Sequence, residues 1–336
     1  MALYVAQRLL FMVGTLLGVL TITFLLTRVL PGSPIEMMLG HKPTPEQIEN
    51  LKHELGLDLP LWRQYIDYIV GIVRGEFGTS FLSSQPVLPE IATRLMATVE
   101  LVTLAMTAVI LAGIPLGVLS AIKLNSPLDH LVRGLSVTGI ALPTFILGML
   151  VQIIFNGWLG WLPLQGRMTA TVVLDHPIPS VTGLSTVDSL LTGDAIAFRD
   201  ALAHIVLPVV TLAFATLPLI VRTTRNLMAE VLSEEYIRTS FAYGIPRRSV
   251  YFSHALKATM IPLLTVLGLT FGYLLGGAVV VEYVFDWPGI GGYVVRAITQ
   301  SDYPAAAGVT LCLAAIYLSI NLVVDLLYFM VDPRLR

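Results

Sequence analysis

The chain has 336 residues and a formal net charge of −2; 55% of its residues are hydrophobic and 12% are charged. Soluble domains carry about 25% charged residues, so this composition, with a mean hydropathy of +0.80, excludes an ordinary soluble enzyme and a disordered chain, and the lack of a basic excess excludes a nucleic-acid binder. The lone cysteine, Cys312, excludes a disulfide framework or a cysteine metal cluster within one chain, and an all-α polytopic membrane protein is what remains.

Crossing a bilayer takes about 20 mostly apolar residues whose backbone is satisfied internally. Six stretches meet that description: 9–30, 99–121, 134–158, 201–221, 258–282 and 305–330. The first, within an N-terminal segment 1–30, is longer than a signal-peptide core. It leaves through Leu30-Pro31-Gly32-Ser33-Pro34 without a small-x-small cleavage site, so it reads as a retained helix. Pro115, Pro143, Pro208, Pro218 and Pro262 fall inside the later stretches, where neighbouring helices can satisfy the carbonyls that proline frees.

Residues 31–98 form an outer segment. Thr44-Pro45-Glu46-Gln47 reads as a capping box with proline at the first helical position. Ile48, Leu51 and Leu55 form its apolar stripe, and Gly56 is placed to end it. Asp58 is placed to cap a second helix carrying Leu61, Tyr65, Tyr68, Ile69 and Ile72 on one face, with Gly75 at its end. Such an amphipathic pair lies on the lipid interface or packs on the protein's own rim; the rim is the favoured reading.

Residues 99–336 hold the other five spans. The short inside connection 122–133 and the inside segment 222–257 collect Lys123, Arg133, Arg222, Arg225, Arg238, Arg247, Arg248 and Lys257, which puts both termini in the cytoplasm by the positive-inside rule. The outer segment 159–200 is long for a connection without a task. Trp158, at the end of the preceding stretch, and Trp161 suit a membrane interface. Trp161, Asp175, Asp188 and Asp194 are the segment's candidate docking residues for an outside protein, and its acids, Asp200 included, are spread too widely for a metal site.

The inside segment 222–257 is the most informative. Met228, Val231, Leu232 and Tyr236 recur at three- and four-residue steps opposite Glu230, Glu234 and Arg238, which predicts an amphipathic helix. Gly244 is positioned to stop it left-handed and Pro246 to start another. A helix–glycine–helix elbow is a knob that another protein can push.

Within the spans, Gly268, Gly272 and Gly276 sit four apart, as do Gly14/Gly18 and Gly113/Gly117; small residues at this spacing let helices approach closely in lipid. Asp325 is the one clear ionisable group inside a span, with Glu100 and Glu282 at span ends. Ion-driven transporters place such groups in pairs or chains at depth, and Asp325 reads instead as the partner of Arg222 or Arg225. No phosphate-binding loop, zinc-ligand spacing or catalytic constellation is present, and His204 reads as hydrogen-bonded.

Glu235-Tyr236-Ile237-Arg238-Thr239-Ser240-Phe241-Ala242-Tyr243-Gly244 followed by His254-Ala255-Leu256-Lys257 resembles the EAA loop of binding-protein-dependent ABC importer permeases, in its dipeptide/oligopeptide/nickel version. Ser240, Phe241 and Tyr243 depart from that group's usual residues. Leu55-Gly56-Leu57-Asp58 with Pro60, Gln64, Tyr65 and Tyr68 agrees with the group's outer segment, as does Gly75-Glu76-Phe77-Gly78-Thr79-Ser80. Val281-Glu282, Trp287-Pro288-Gly289-Ile290-Gly291, Asp302-Tyr303-Pro304 and the ending Asp332-Pro333-Arg334 are also similar. The outer segment directly after span one is the arrangement of the B-type permease.

The resemblance implies a type I ABC importer permease fold of six transmembrane helices with a periplasmic helical insertion, in the bacterial inner membrane. It implies a second homologous permease subunit, two cytoplasmic ABC ATPase subunits that hold ATP and Mg, and a periplasmic substrate-binding protein delivering dipeptides or short oligopeptides. This chain would carry no cofactor, metal or catalytic residue, and would bind lipid but no nucleic acid. Glu235, Arg238, Thr239, Gly244, Arg247, His254 and Lys257 would form the ATPase-coupling loop. Nickel, glutathione or another small solute is the alternative cargo, and a stand-alone ion-coupled secondary transporter relying on Asp325 is the alternative class.

Overall fold

The computed structural model describes residues 2–29, 44–54 and 56–331, and all of its regular elements among these are helices. They are α1 (Ala2–Val29), α2 (Pro45–Glu54), α3 (Leu61–Val73), α4 (Val87–Ile122), α5 (Pro127–Ala141), α6 (Thr144–Trp158), α7 (Ala170–Asp175), α8 (Ser185–Thr192), α9 (Ala195–Ser233), α10 (Glu235–Ala242), α11 (Arg247–Val284), α12 (Ile290–Thr299) and α13 (Tyr303–Val331). Two contain π-type stretches, Ile153–Trp158 in α6 and Val250–Ala255 in α11. Among the described residues, α1, α4, α9, α11 and α13 are long and apolar enough to cross a membrane. The exit at 30–34, Leu55 and the ending 332–336 lie outside the described residues, as do the side chains of Ile48 and Leu51.

The third expected span is not one helix. α5 ends at Ala141, Pro143 takes extended angles (φ −58°, ψ 136°), and α6 starts afresh at Thr144. Proline's missing N–H costs nothing at the start of a helix, and its ring turns the preceding residue away from helical geometry. Pro115, Pro208, Pro218 and Pro262 stay inside α4, α9 and α11 as expected.

The chain divides into two compact units, Met1–Leu95 with Gly289–Leu318, and Met96–Pro288 with Ser319–Arg336. In the first, the capping box at α2 is reciprocal: the Thr44 N–H donates to Gln47 Oε1 (2.9 Å) and the Gln47 N–H to Thr44 Oγ1 (3.3 Å). Gly56 ends it at φ +61°. Pro60, rather than Asp58, occupies the N-cap of α3. The face of α3 that carries its tyrosines packs on α1: Tyr65 shares a hydrogen bond with Thr21 (2.6 Å), Tyr68 with Thr23 (3.2 Å), and Phe24 stands edge-on to Tyr65. The amphipathic helix therefore covers the protein's own rim, while Trp62, Ile66 and Val73 on its far side stay exposed.

The two family-like motifs around Ser80 and Asp302 meet in this unit. Ser80 Oγ donates to Asp302 Oδ2 (2.5 Å), the Leu82 N–H points to the same oxygen (3.4 Å), and Asp302 is fully buried. Gly308 exists where a Cβ would lie 2.7 Å from Val87 Cγ1. Nearby, Tyr293 of α12 donates to Glu90 Oε2 (2.6 Å), and the Arg94 guanidinium lies 4.8 Å from the Tyr293 ring centre. Burial and the Glu90 carboxylate both push the Tyr293 phenol above its usual range.

The second unit is built on α9, whose buried positions include Ile205, Leu212, Thr216, Ile220, Thr224 and Met228. α4 crosses it at the Gly113/Gly117 pair. A Cβ on Gly117 would sit 2.6 Å from Thr224 Cβ and 2.8 Å from the Val221 carbonyl, so only glycine lets the helices approach this closely. The glycines of α11 have different surroundings within the chain. Gly268 meets Val324 of α13, Gly277 meets Leu212, and Gly276 faces open space. Gly14 and Gly18 of α1 likewise face open space.

Candidate functional site: the elbow and the long loop

The segment 222–257 folds into an elbow. α9 runs on to Ser233, Glu234 breaks the ladder with ψ 147°, and α10 begins at Glu235. The expected single helix through Tyr236 is thus two helices, and the break resets the phase: Ile237 is buried and Tyr236 is half exposed. α10 ends in a Schellman turn. Gly244 sits at φ +75°, its N–H donates to Phe241 O (3.0 Å), and the Ile245 N–H donates to Ser240 O (3.2 Å). Pro246 is the N-cap of α11.

Ile237, Val250 and Ala255 of the elbow are buried with Val118 and Ala121 of α4 and Met228 of α9, and Ile245, Val231 and Leu232 pack around them. Phe241 and Tyr251 close the bend with ring centres 6.0 Å apart. The apolar residues therefore seat the elbow on two long helices. Glu235, Arg238, Thr239, Gly244, Arg247, His254 and Lys257 are all exposed on its other side. Such an arrangement fixes a charged handle to α4 and α9.

The seat has an ionic root that sequence reasoning missed. Arg225 of α9 binds Asp129 through Nε to Oδ1 (2.6 Å) and Nη2 to Oδ2 (2.9 Å), and Ser120 Oγ also donates to Asp129. Of Arg222 and Arg225, the two expected partners of Asp325, Arg225 thus engages Asp129, at the mouth of the 122–133 connection. The hydrogen bonds from Arg225 outweigh the opposing effect of burial; with those from Ser120 and the Asn125 N–H they hold the Asp129 carboxyl well below the usual range.

Facing the 159–200 loop, Glu100 of α4 is buried and receives Arg167 through Nε (3.1 Å) and Nη2 (2.5 Å), together with the N–H and hydroxyl of Thr186 (2.7 and 2.6 Å). Asp188, expected to offer a docking contact, is only 3% exposed. It accepts hydrogen bonds from the Thr182 N–H and hydroxyl and the Gly183 N–H, and so pins the loop instead. Burial alone would raise its pKa, but these donors lower it on balance. Asp194 caps α9 through the N–H groups of Ile196 and Ala197 (3.0 Å each) and pairs with His176 (2.8 Å). Trp161 and Asp175 remain exposed. His204 bonds to Asp200 O (2.8 Å). Among the described residues no acidic, histidine or cysteine group forms a metal cluster.

Long apolar helices, two of which seat a charged elbow, mark a multi-pass membrane protein. The chain belongs to the family described as binding-protein-dependent transport system inner membrane component, which it matches over residues 113–336, with that family's N-terminal part over residues 1–102. It is 40% identical over 334 residues to the dipeptide transport system permease protein DppB of Escherichia coli K12, covering 99% of this chain and 98% of that one. It is 44% identical over 318 residues to the probable D,D-dipeptide transport system permease protein DdpB of the same strain (95% and 93% covered). It is 38% identical over 333 residues to the glutathione transport system permease protein GsiC of Salmonella typhimurium (99% and 98% covered). It is a multi-pass inner-membrane protein.

Proposed function

We propose that this chain is the B-type permease subunit of an ATP-driven importer of dipeptides or short oligopeptides, with both termini in the cytoplasm. A periplasmic binding protein delivers the peptide. A second homologous permease completes the pathway, and two cytoplasmic ATPases, which hold the ATP and Mg, act on the elbow. The observation that carries the reading is the division of the elbow between buried apolar residues, which anchor it to α4 and α9, and exposed charged residues, which face outward. The dipeptide systems of the two Escherichia coli relatives support the choice of cargo.

The test is ATP-dependent dipeptide uptake into vesicles containing the chain with its co-purifying partners, compared with the Gly244→Val variant. At φ +75° valine is strained, so the variant should hydrolyse ATP with little uptake. Uptake by the purified chain alone under an ion gradient would overturn the reading.

A further inference from the structure

Asp129 is fully buried at the first turn of α5, and three stretches of chain converge on it: α4 through Ser120, α9 through Arg225, and the connection between α4 and α5 through the Asn125 N–H (3.1 Å). Asn125 stands in the left-handed region at φ +58°, which asparagine can adopt. α4 and α9 are the two helices that seat the elbow, and among the described residues the apolar seat includes none of α5.

α5 is also cut off from α6 by the break at Pro143. At its far end, a Cβ on Gly139 would lie 2.7 Å from Pro218 Cγ of α9. α5 thus packs along α9, closely at Gly139 and through a bidentate ion pair at its first turn. A bidentate guanidinium–carboxylate pair fixes angle as well as distance. A buried pair gains little stability over an apolar replacement, so its use here is geometric.

We infer that Asp129 and Arg225 are positioning residues for transport, the pair that makes the inner half of span three follow the elbow when the ATPases move it. This rests on the function proposed above. Without the pair, α4 and α9 still carry the stroke and hydrolysis continues, but α5 lags and the inner pathway opens incompletely.

The experiment measures dipeptide imported per ATP hydrolysed in vesicles holding the whole complex, for wild type, Asp129→Asn and Arg225→Lys. Both variants should lower that ratio, on the order of tenfold for Asp129→Asn and less for Arg225→Lys, which keeps the charge but loses the fork. The dipeptide concentration giving half-maximal uptake should not change. A ratio equal to wild type in either variant, or uptake and hydrolysis falling in proportion, overturns the inference and indicates a merely structural pair. If Asp129→Asn fails to assemble, Ser120→Ala is read in its place by the same criterion. Absence of ATP-dependent uptake in the wild-type complex would instead defeat the functional reading itself.

Discussion

Arg167 and Glu100, 67 residues apart, meet through two hydrogen bonds to one carboxylate oxygen, and the Glu100 side chain is only 2% exposed. The Arg167 guanidinium also donates to Gly183 O (2.7 Å) and lies 5.8 Å from the Trp287 ring centre. One side chain thereby fastens the 159–200 loop to α4, beside a cavity of about 160 Å³ that Arg167, His176, Ser180 and Asp188 help to line.

Removing one member of a buried pair leaves the other charged and unpartnered, at a cost of about 3 kcal/mol. Arg167→Ala should therefore lower the thermal unfolding temperature in detergent clearly. Adding Glu100→Gln to it should restore part of the loss, because the stranded charge is gone. A double variant no more stable than the single would contradict this account.

Glycine positions separate into crowded and open ones. Gly117→Ala drives a methyl against Thr224 and the Val221 carbonyl and should cost about 1–3 kcal/mol through overpacking. Gly14→Ala meets nothing within 4 Å and should be neutral or slightly stabilising, since alanine is the better helix former. Thermal melts of the two variants in the same detergent make the comparison.

Acid should act on the root of the elbow. Asp129 has a folded pKa below its unfolded value of about 3.9, with the Arg225 hydrogen bonds as the largest cause. Its contribution to stability is complete above about pH 4 and is lost as pH falls through the lowered folded value. Asp129→Asn should be less stable than wild type at neutral pH and should lose less on acidification below pH 4, as followed by unfolding temperature against pH.

The proposed orientation is tested by labelling in a Cys312→Ser background. Tyr243→Cys at the elbow should react with a membrane-impermeant maleimide only in inside-out vesicles stripped of peripheral proteins. Trp161→Cys in the outer loop should react only in right-side-out ones. Both native side chains are well exposed, so burial would not explain a missing signal.

The parts of this protein that were legible in the sequence are local. Thr44 and Gln47 are three apart, and Gly244 follows an amphipathic turn; each carries its own structural instruction. Five long helices were equally plain from hydropathy. The break at Pro143 was not, because the apolar run continues through it and four other prolines sit inside helices. Nor does any periodicity link Ser80 to Asp302, Glu100 to Arg167 or Asp129 to Arg225, pairs made only when distant elements come together. Tyr236 was misplaced for a related reason: Glu234 interrupts the helix without a glycine or proline to announce it.

The interruption at Leu142-Pro143 also bears on how the chain enters the bilayer during synthesis. α6 is a shorter apolar helix than the five long ones, and the last carbonyls of α5 and the first N–H groups of α6 have no partners within their own helices. Released singly into lipid, that segment would strand those groups in hydrocarbon. Its insertion should accordingly be cooperative, completed only when α9 arrives from the ribosome to stand beside it, which makes the order of translation part of how the permease is built.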